Sequence, residues 1–280
     1  MQIKLIEITE GETKLLVPDL KKYKIPEHAP VFYNPAMRHD RDISVRLLKA
    51  YFGKKKIKVL DLLAGVGARG LRYAKEDRFD VTLNDVQPSA TNLIKKNARL
   101  NKVKVKVTNK EANQLLTERK REKFDAIDID PFGTPSPFLS NSFLALRPKD
   151  SIIAITATDL GALAGVYPEA CFRKYSIVAG KTSFLHELGI RNLIMATFRE
   201  ATKQDYSLKP VYSYYNLHYY RVFCEMVGGK KRANRSKTDL GLVSYCPKCE
   251  RRDLISLYEE IKIKCECKEK RKIFGITWIG

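Results

Sequence analysis

The 280-residue chain carries 52 Lys and Arg against 32 Asp and Glu, a net charge of +20, and is 44% hydrophobic. That length and apolar content allow one large domain with a smaller one, and the charge favours a polyanionic partner, nucleic acid ahead of an anionic membrane surface. No apolar run approaches the ~18–20 residues needed to span a bilayer, and the start from Met1 to Glu7 has no signal-peptide core.

In chain order, Ile3–Thr9 and Thr13–Val17, separated by Glu10-Gly11-Glu12, read as a hairpin. A proline-punctuated stretch through Pro26, Pro30 and Pro35 leads into an amphipathic helix over Asp42–Phe52 that ends at Gly53. Strands are then predicted near Lys58–Leu63, Asp80–Asn84, Val103–Thr108, Phe124–Ile129 and Ser151–Ala157. Between them fall helices near Ala68–Glu76, Ser89–Leu100, Ala112–Arg121 and Pro137–Leu146. Such alternation with short gaps is that of a doubly wound α/β sheet. A long helix near Phe184–Ala201 follows, then Val211–Asn216 and Tyr219–Val227 as an antiparallel hairpin. A parallel sheet closed by such a hairpin resembles the expected shape of a Rossmann-like, class I methyltransferase core. From Gly228 to Arg235 the composition turns to a basic joint that reads as flexible.

The run Leu60 to Gly70 passes from a strand into a glycine-rich turn in which Gly65, Gly67 and Gly70 have GxGxxG spacing. Glycines there let backbone approach a ligand. Asp85 ends the next strand, twenty residues after Gly65, where a carboxylate can take both hydroxyls of a ribose. Glu111 and the amide of Ala112 follow the third strand, where they could meet an adenine. These features serve NAD and S-adenosylmethionine alike; the bland reading of Asp85 is a loop residue or helix cap, and that of Glu111 a first-turn charge complementing the helix dipole.

The stretch Asp128-Ile129-Asp130-Pro131-Phe132-Gly133-Thr134-Pro135 tilts the choice toward methyl transfer. A buried strand delivers Asp130 into a proline-stiffened turn at its carboxyl end, where open α/β sheets bind ligands. The Phe132 ring can stack on a nucleobase while Asp130 and the Pro131 carbonyl accept hydrogen bonds from an exocyclic amine. A helix cap is the bland reading of Asp130. A dehydrogenase would need a proton donor, and His28, His39, His186 and His218 offer no clear one.

Four of the six cysteines lie within 22 residues as Cys246-x2-Cys249 and Cys265-x-Cys267. Four thiolates on two short knuckles match a closed, structural Zn2+ site, and the usage as a whole is intracellular. The expected compartment is therefore cytoplasmic. Cys171 and Cys224 read as core thiols. Basic residues cluster in Lys95-Lys96, Arg99, Lys102, Lys104 and Lys106, and again in Lys230–Lys237 and Lys268–Lys272. Lys102, Lys104 and Lys106 alternate with valines as if on one face of an edge strand. Of the clusters, Lys230–Lys237 and the cysteine segment are the better candidates for phosphate contacts.

Taken together, the residues closely resemble the tRNA (guanine(26)-N2)-dimethyltransferase family. The matching blocks include Tyr33-Asn34-Pro35-Ala36-Met37, Arg41-Asp42-Ile43, Ala64–Arg72, Asn84-Asp85-Val86, Glu111-Ala112-Asn113, Asp128–Pro135, Thr156–Asp159, Tyr167–Tyr175, His186–Gly189 and His218–Phe223. The resemblance implies that Arg41, Arg69, Asp85, Glu111 and Ala112 contact S-adenosylmethionine, that Asp130 is the catalytic carboxylate, and that Phe132 helps hold the base. It implies tRNA as partner. Two departures stand out. Leu160-Gly161-Ala162 differs from the usual Gly-Ala-Pro-type turn, and family members usually continue beyond the segment like Ile276–Gly280 into a further tRNA-contacting domain. The expected division is a hairpin and extended segment over 1–35, a methyltransferase domain over 36–228, and a basic linker with zinc module over 229–280, in a monomer. The alternatives are an amino-methyltransferase acting at another RNA position and a catalytically silent RNA-binding protein.

Overall fold

A computed structural model describes residues 3–120, 122–261 and 263–280. Two compact units emerge, one of Met1–Asp130 with Leu144–Arg147 and one of Pro131–Phe143 with Pro148–Gly280.

The first unit opens with a hairpin of β1 (Leu5–Glu10) and β2 (Thr13–Pro18). Then come α1 (Arg38–Phe52), β3 (Lys58–Asp61), α2 (Ala68–Glu76), β4 (Asp80–Asn84), α3 (Pro88–Leu100), β5 (Lys106–Thr108), α4 (Ala112–Glu118) and β6 (Ala126–Ile129). Its strands lie in the order β5-β4-β3-β6, and the pairings are parallel. The predicted helices and strands are present with small shifts. Helix α1 starts earlier than expected because Asn34 accepts a hydrogen bond from the Ala36 amide, and the 3-10 turn Pro35–Met37 runs straight into it. The predicted end of α4 at Arg121, like Met1 and Gln2, lies outside the described residues. Strand β5 is shorter than predicted. Lys102 takes a left-handed φ of 55°, so only Lys106 of the lysine triplet is in the strand, although all three are exposed.

Side-chain amides stitch the hairpin to α3. Asn97 and Asn101 sit one helical turn apart, matching Leu16 and Lys14 two residues apart on β2. Each Asn accepts from one backbone N–H of β2 and donates to the carbonyl of the same residue, at 2.6–3.1 Å. The Asn97 amide also donates to the Val66 carbonyl in the glycine turn at 3.0 Å. Two buried asparagines thus do for this strand what a neighbouring strand would do, and Asn97 fixes the glycine turn as well.

The second unit holds most of α5 (Ser136–Ala145), then β7 (Ser151–Ala157), α6 (Leu160–Leu163), α7 (Pro168–Tyr175) and α8 (Leu185–Thr202). The antiparallel hairpin of β8 (Tyr206–Asn216) and β9 (Tyr219–Gly228) lies beside β7 in the order β7-β9-β8. The stretch expected to be a flexible joint instead forms a short helix, α9 (Lys230–Arg235). Gly229 at φ 106° stops β9, and the Lys-Lys-Arg-Ala that follows has good helix propensity. A second sheet, ordered β11-β10-β12, consists of β10 (Leu240–Tyr245), β11 (Arg252–Ser256) and β12 (Lys272–Trp278). It packs on α8 through Leu188, Val243, Tyr245 and Phe274. The Thr277 hydroxyl donates to Asn192 at 2.8 Å and Arg191 to the Trp278 carbonyl at 3.0 Å.

Candidate active site

The glycine turn joins β3 to α2. Gly65 has φ 55° and Gly67 φ 82°, conformations that disfavour side chains. A Cβ on Gly65 would also lie 2.8 Å from the Phe32 carbonyl oxygen. Asp85, at the end of β4, closes this turn. Its carboxylate accepts from the Gly65 amide at 2.9 Å and from the Gln87 amide at 2.8 Å. Burial pushes the Asp85 carboxyl up, and the two amides oppose it. A carboxylate has about four acceptor positions, so two remain to take a ribose diol. Asn84 anchors the same rim, donating to the Leu62 and Lys110 carbonyls at 3.1 and 3.0 Å. The turn and its acidic neighbour fit a nucleoside with a 2′,3′-diol.

Glu111 caps α4, accepting from the Gln114 amide at 2.8 Å, and is exposed, while Ala112 opens that helix as a buried residue. Glu111 therefore sits at the cap itself rather than in the first turn, a carboxylate that meets the helix's free amides and also faces solvent.

Arg41 and Arg69 are both buried and engaged by carboxylates. Arg41 donates from Nε and Nη2 to the two oxygens of Glu10 at 2.7 and 2.5 Å, and Tyr33 donates to the same carboxylate at 2.7 Å. Burial pushes the Glu10 carboxyl up, but the hydrogen bonds and charge of Arg41 outweigh it and hold it below its ordinary value. Burial and the Glu10 carboxylate push the Tyr33 phenol well up.

Arg69 projects from the first turn of α2 into a nest of acids. It donates to the Ser44 hydroxyl at 2.7 Å, to Asp40 at 2.6 Å and to Asp130 at 2.5 Å, with Asp128 at 3.6 Å. Despite burial, which disfavours its charge, Asp128, Asp40 and Asp130 hold it firmly ionised. Asp128 also accepts from the Tyr73 hydroxyl at 2.8 Å. Its cross-strand partner is Asp61, which accepts from the Gly70 amide at 2.9 Å. Burial first, then the Asp128 charge, push the Asp61 carboxyl up to about 7.

The geometry therefore ties Asp130 to the glycine turn through one guanidinium. Asp130 is partly exposed at 23% of its side chain, with one oxygen on Arg69 and acceptor capacity left over. It does not cap α5: Thr134 supplies that side-chain acceptor, to the Ser136 amide at 3.2 Å. In the second unit Pro131 is buried and Phe132 is 63% exposed. The turn after Phe132 is pinned to the end of β7, where the Gly133 amide donates to the Thr158 hydroxyl at 2.7 Å and the Thr158 amide to the Gly133 carbonyl at 3.0 Å. Thr134 donates to the Tyr175 hydroxyl, which donates to Asp159 at 2.7 Å.

Sequence reasoning missed Glu10, Asp40, Ser44 and Asp61. Asp61 and Asp128 carried a signal, a charge within an apolar strand run. Glu10 carried none, because Glu10-Gly11-Glu12 reads as an ordinary polar turn.

The four cysteines of the C-terminal sheet converge as spacing predicted. Cys246 and Cys267 sulfurs are 3.5 Å apart, as are those of Cys249 and Cys265, and all four lie within 4.8 Å of one another. These separations are too long for disulfides, about 2.05 Å. They suit tetrahedral zinc, whose ~2.3 Å bonds place sulfurs about 3.8 Å apart. Cys171 and Cys224 are fully buried, and burial pushes both thiols up to about 12.

Among the described residues no helix is long and apolar enough to cross a membrane. The curated tRNA (guanine(26)-N(2))-dimethyltransferase of Pyrobaculum islandicum is 42% identical over 92% of this chain and 72% of its own length. That of Sulfurisphaera tokodaii is 41% identical over 99% of this chain and 74% of its own. Trm1 from Pyrococcus horikoshii, solved in complex with S-adenosyl-L-methionine, superposes with a TM-score of 0.87 at 32% identity, covering 99% of this chain and 74% of that one. Trm5b from Pyrococcus abyssi shares the fold alone, at TM-score 0.55 and 15% identity over 81% of this chain and 57% of its own. The sequence profile described as N2,N2-dimethylguanosine tRNA methyltransferase matches residues 11–280, and with these relatives it establishes that the chain belongs to that family, with its class I methyltransferase fold.

Proposed function

We propose that this protein methylates the exocyclic N2 amine of guanosine 26 in tRNA, giving N2-methyl- and N2,N2-dimethylguanosine. In a member of this family, the observation that carries the reading is Asp130, presented at the end of β6 and held by Arg69. When bound, S-adenosylmethionine supplies an electrophilic sulfonium methyl. Gly65, Gly67 and Asp85 would cradle its nucleoside, Glu111 and Ala112 would receive the adenine, and Arg41 and Arg69 would complete the surrounding wall.

The guanine N2 lone pair is delocalised into the ring, so the amine is a poor nucleophile. Asp130, by accepting a hydrogen bond from N2–H, would favour localisation of that pair and would take the amine proton as the methyl leaves sulfur for nitrogen, the S–C bond breaking as the N–C bond forms. The Pro131 carbonyl accepts the second N–H, and the Phe132 ring stacks on the base. Holding the amine in line with the methyl contributes more than the proton transfer, since orientation effects reach ~7–11 kcal/mol. A guanine within a stack must be flipped out to reach these groups, at a few kcal/mol.

The functional division we propose is residues 36–228 for methyl transfer, 1–35 as a brace, and 229–280 as a module stabilised by Zn2+ on Cys246, Cys249, Cys265 and Cys267. Four protein ligands leave no open position, so the metal is structural. The protein acts as a cytoplasmic monomer. The test is incubation with S-adenosylmethionine and an unmodified tRNA transcript, followed by nucleoside mass spectrometry with mapping of the site. N2,N2-dimethylguanosine at position 26 is expected. A methylated base other than guanosine, or no cofactor binding, refutes the reading.

A further inference from the structure

The chain carries a net charge of +20. In the second unit, Lys149, Lys231, Arg232 and Arg235 line one cavity of about 320 Å³ together with Gly228 and Gly229. No carboxylate lines it. Among the described residues none of these four cations forms an ion pair, whereas the adjacent Lys230 lies 3.7 Å from Asp205. All four are exposed to solvent.

The backbone builds this arrangement. A Cβ on Gly228 would lie 2.5 Å from the Pro148 carbonyl oxygen, so the glycine lets the end of β9 close against the turn that carries Lys149. Gly229 then turns the chain into α9. Within α9, Arg235 is four residues from Lys231 and three from Arg232, so the three cations share one helical face and repel one another. Protection of a sheet edge explains lysines on strands, but it does not explain a crowded cationic face on a helix. An anion seated between them removes the repulsion, and arginines suit bidentate contacts with phosphate oxygens.

We infer that this cavity is a phosphate-binding subsite for the RNA backbone, with Lys149, Lys231, Arg232 and Arg235 each facing a phosphodiester oxygen. The inference rests on the RNA-methyltransferase reading and adds to it a place where substrate is gripped away from the reacting amine. Contacts of this kind position the RNA without reading its sequence.

The test compares the triple variant Lys231→Gln/Arg232→Gln/Arg235→Gln with a control of equal charge, Lys54→Gln/Lys55→Gln/Lys56→Gln, three exposed lysines of the other unit with no ion pair among the described residues. Binding of a tRNA transcript is measured at several salt concentrations, together with kcat, KM for tRNA and the melting temperature. The pocket variant should bind about 10-fold or more weakly, and its slope of log Kd against log salt should fall by about 2, at roughly 0.7–0.9 per phosphate lost. Its kcat and melting temperature should stay near those of the unaltered protein, and the control should change affinity less than about 3-fold. Equal losses in both variants, or an unchanged slope in the pocket variant, overturn the subsite. The two readings separate cleanly. Methylation of guanosine 26 with unaltered RNA binding by the pocket variant removes the subsite alone. Salt-sensitive binding lost in that variant, from a protein that methylates nothing, removes the enzymatic reading alone.

Discussion

Asp61 offers a direct test of the electrostatics beneath the glycine turn. It faces Asp128 across neighbouring parallel strands, is 3% exposed, and has its carboxyl pushed up from 3.8 to about 7. Asp61→Asn keeps an oxygen to accept from the Gly70 amide and replaces a repelling charge with an amide that can donate to Asp128. Below about pH 4 the native carboxyl is protonated in both folded and unfolded chains, so it costs nothing. Between about pH 4 and 7 the unfolded chain releases the proton while the folded one retains it, and stability falls as pH rises. Above pH 7 both are ionised and the full penalty stands. At about 1.4 kcal/mol per pH unit the upper bound is about 4 kcal/mol, and sharing of charge with Asp128 and Arg69 should reduce it to about 1–4 kcal/mol. Denaturant unfolding of both proteins from pH 4 to 8 measures this. The advantage of the Asn variant should grow with pH and level off above 7. A difference that stays constant across that range would falsify the assignment of a buried, repelled carboxylate.

Asp130→Ala should lower the methylation rate by ~10²-fold or more while S-adenosylmethionine affinity, measured calorimetrically, stays within a few-fold. Arg69 keeps Asp40 and Asp128 in that variant, so the turn should hold, and near-normal turnover would end the proposed role. Glu10→Gln strips the counter-charge from buried Arg41 and should cost about 3–5 kcal/mol in unfolding free energy. Adding Arg41→Met to it should recover part of the loss, and an E10Q variant as stable as the unaltered protein would show that the pair is not what holds the hairpin end. Elemental analysis should find one zinc per chain, and a strong chelator should lower the melting temperature. A metal-free protein with an unchanged melting curve would remove the zinc proposal.

The sequence determined the architecture because its signals are local. Apolar runs bounded by glycine and proline set the strands, and the boundaries of α2, β4 and β7 could be read from them directly. The GxGxxG turn, the acidic residue after β4 and the Asp-Pro-Phe turn sit at strand ends, so their spacing alone placed them on one rim of an α/β sheet. Cysteine spacing likewise announced four convergent sulfurs, since each knuckle is closed by a few consecutive residues.

The tertiary structure decided what no local pattern encodes: which charge meets which. Arg41 and Arg69 read as ligands of the cofactor by resemblance. The fold surrounds one with Glu10, 31 positions away in the chain, and the other with Asp40, Asp128 and Asp130. A buried guanidinium must find anions wherever the fold supplies them, because desolvation penalises an unpaired charge, and the sequence separation of those anions is arbitrary. The same holds for Asn97 and Asn101, ordinary helix residues in sequence that serve as a strand edge for β2. It holds again for Lys149, which joins Lys231, Arg232 and Arg235 only because a glycine lets two backbone segments touch.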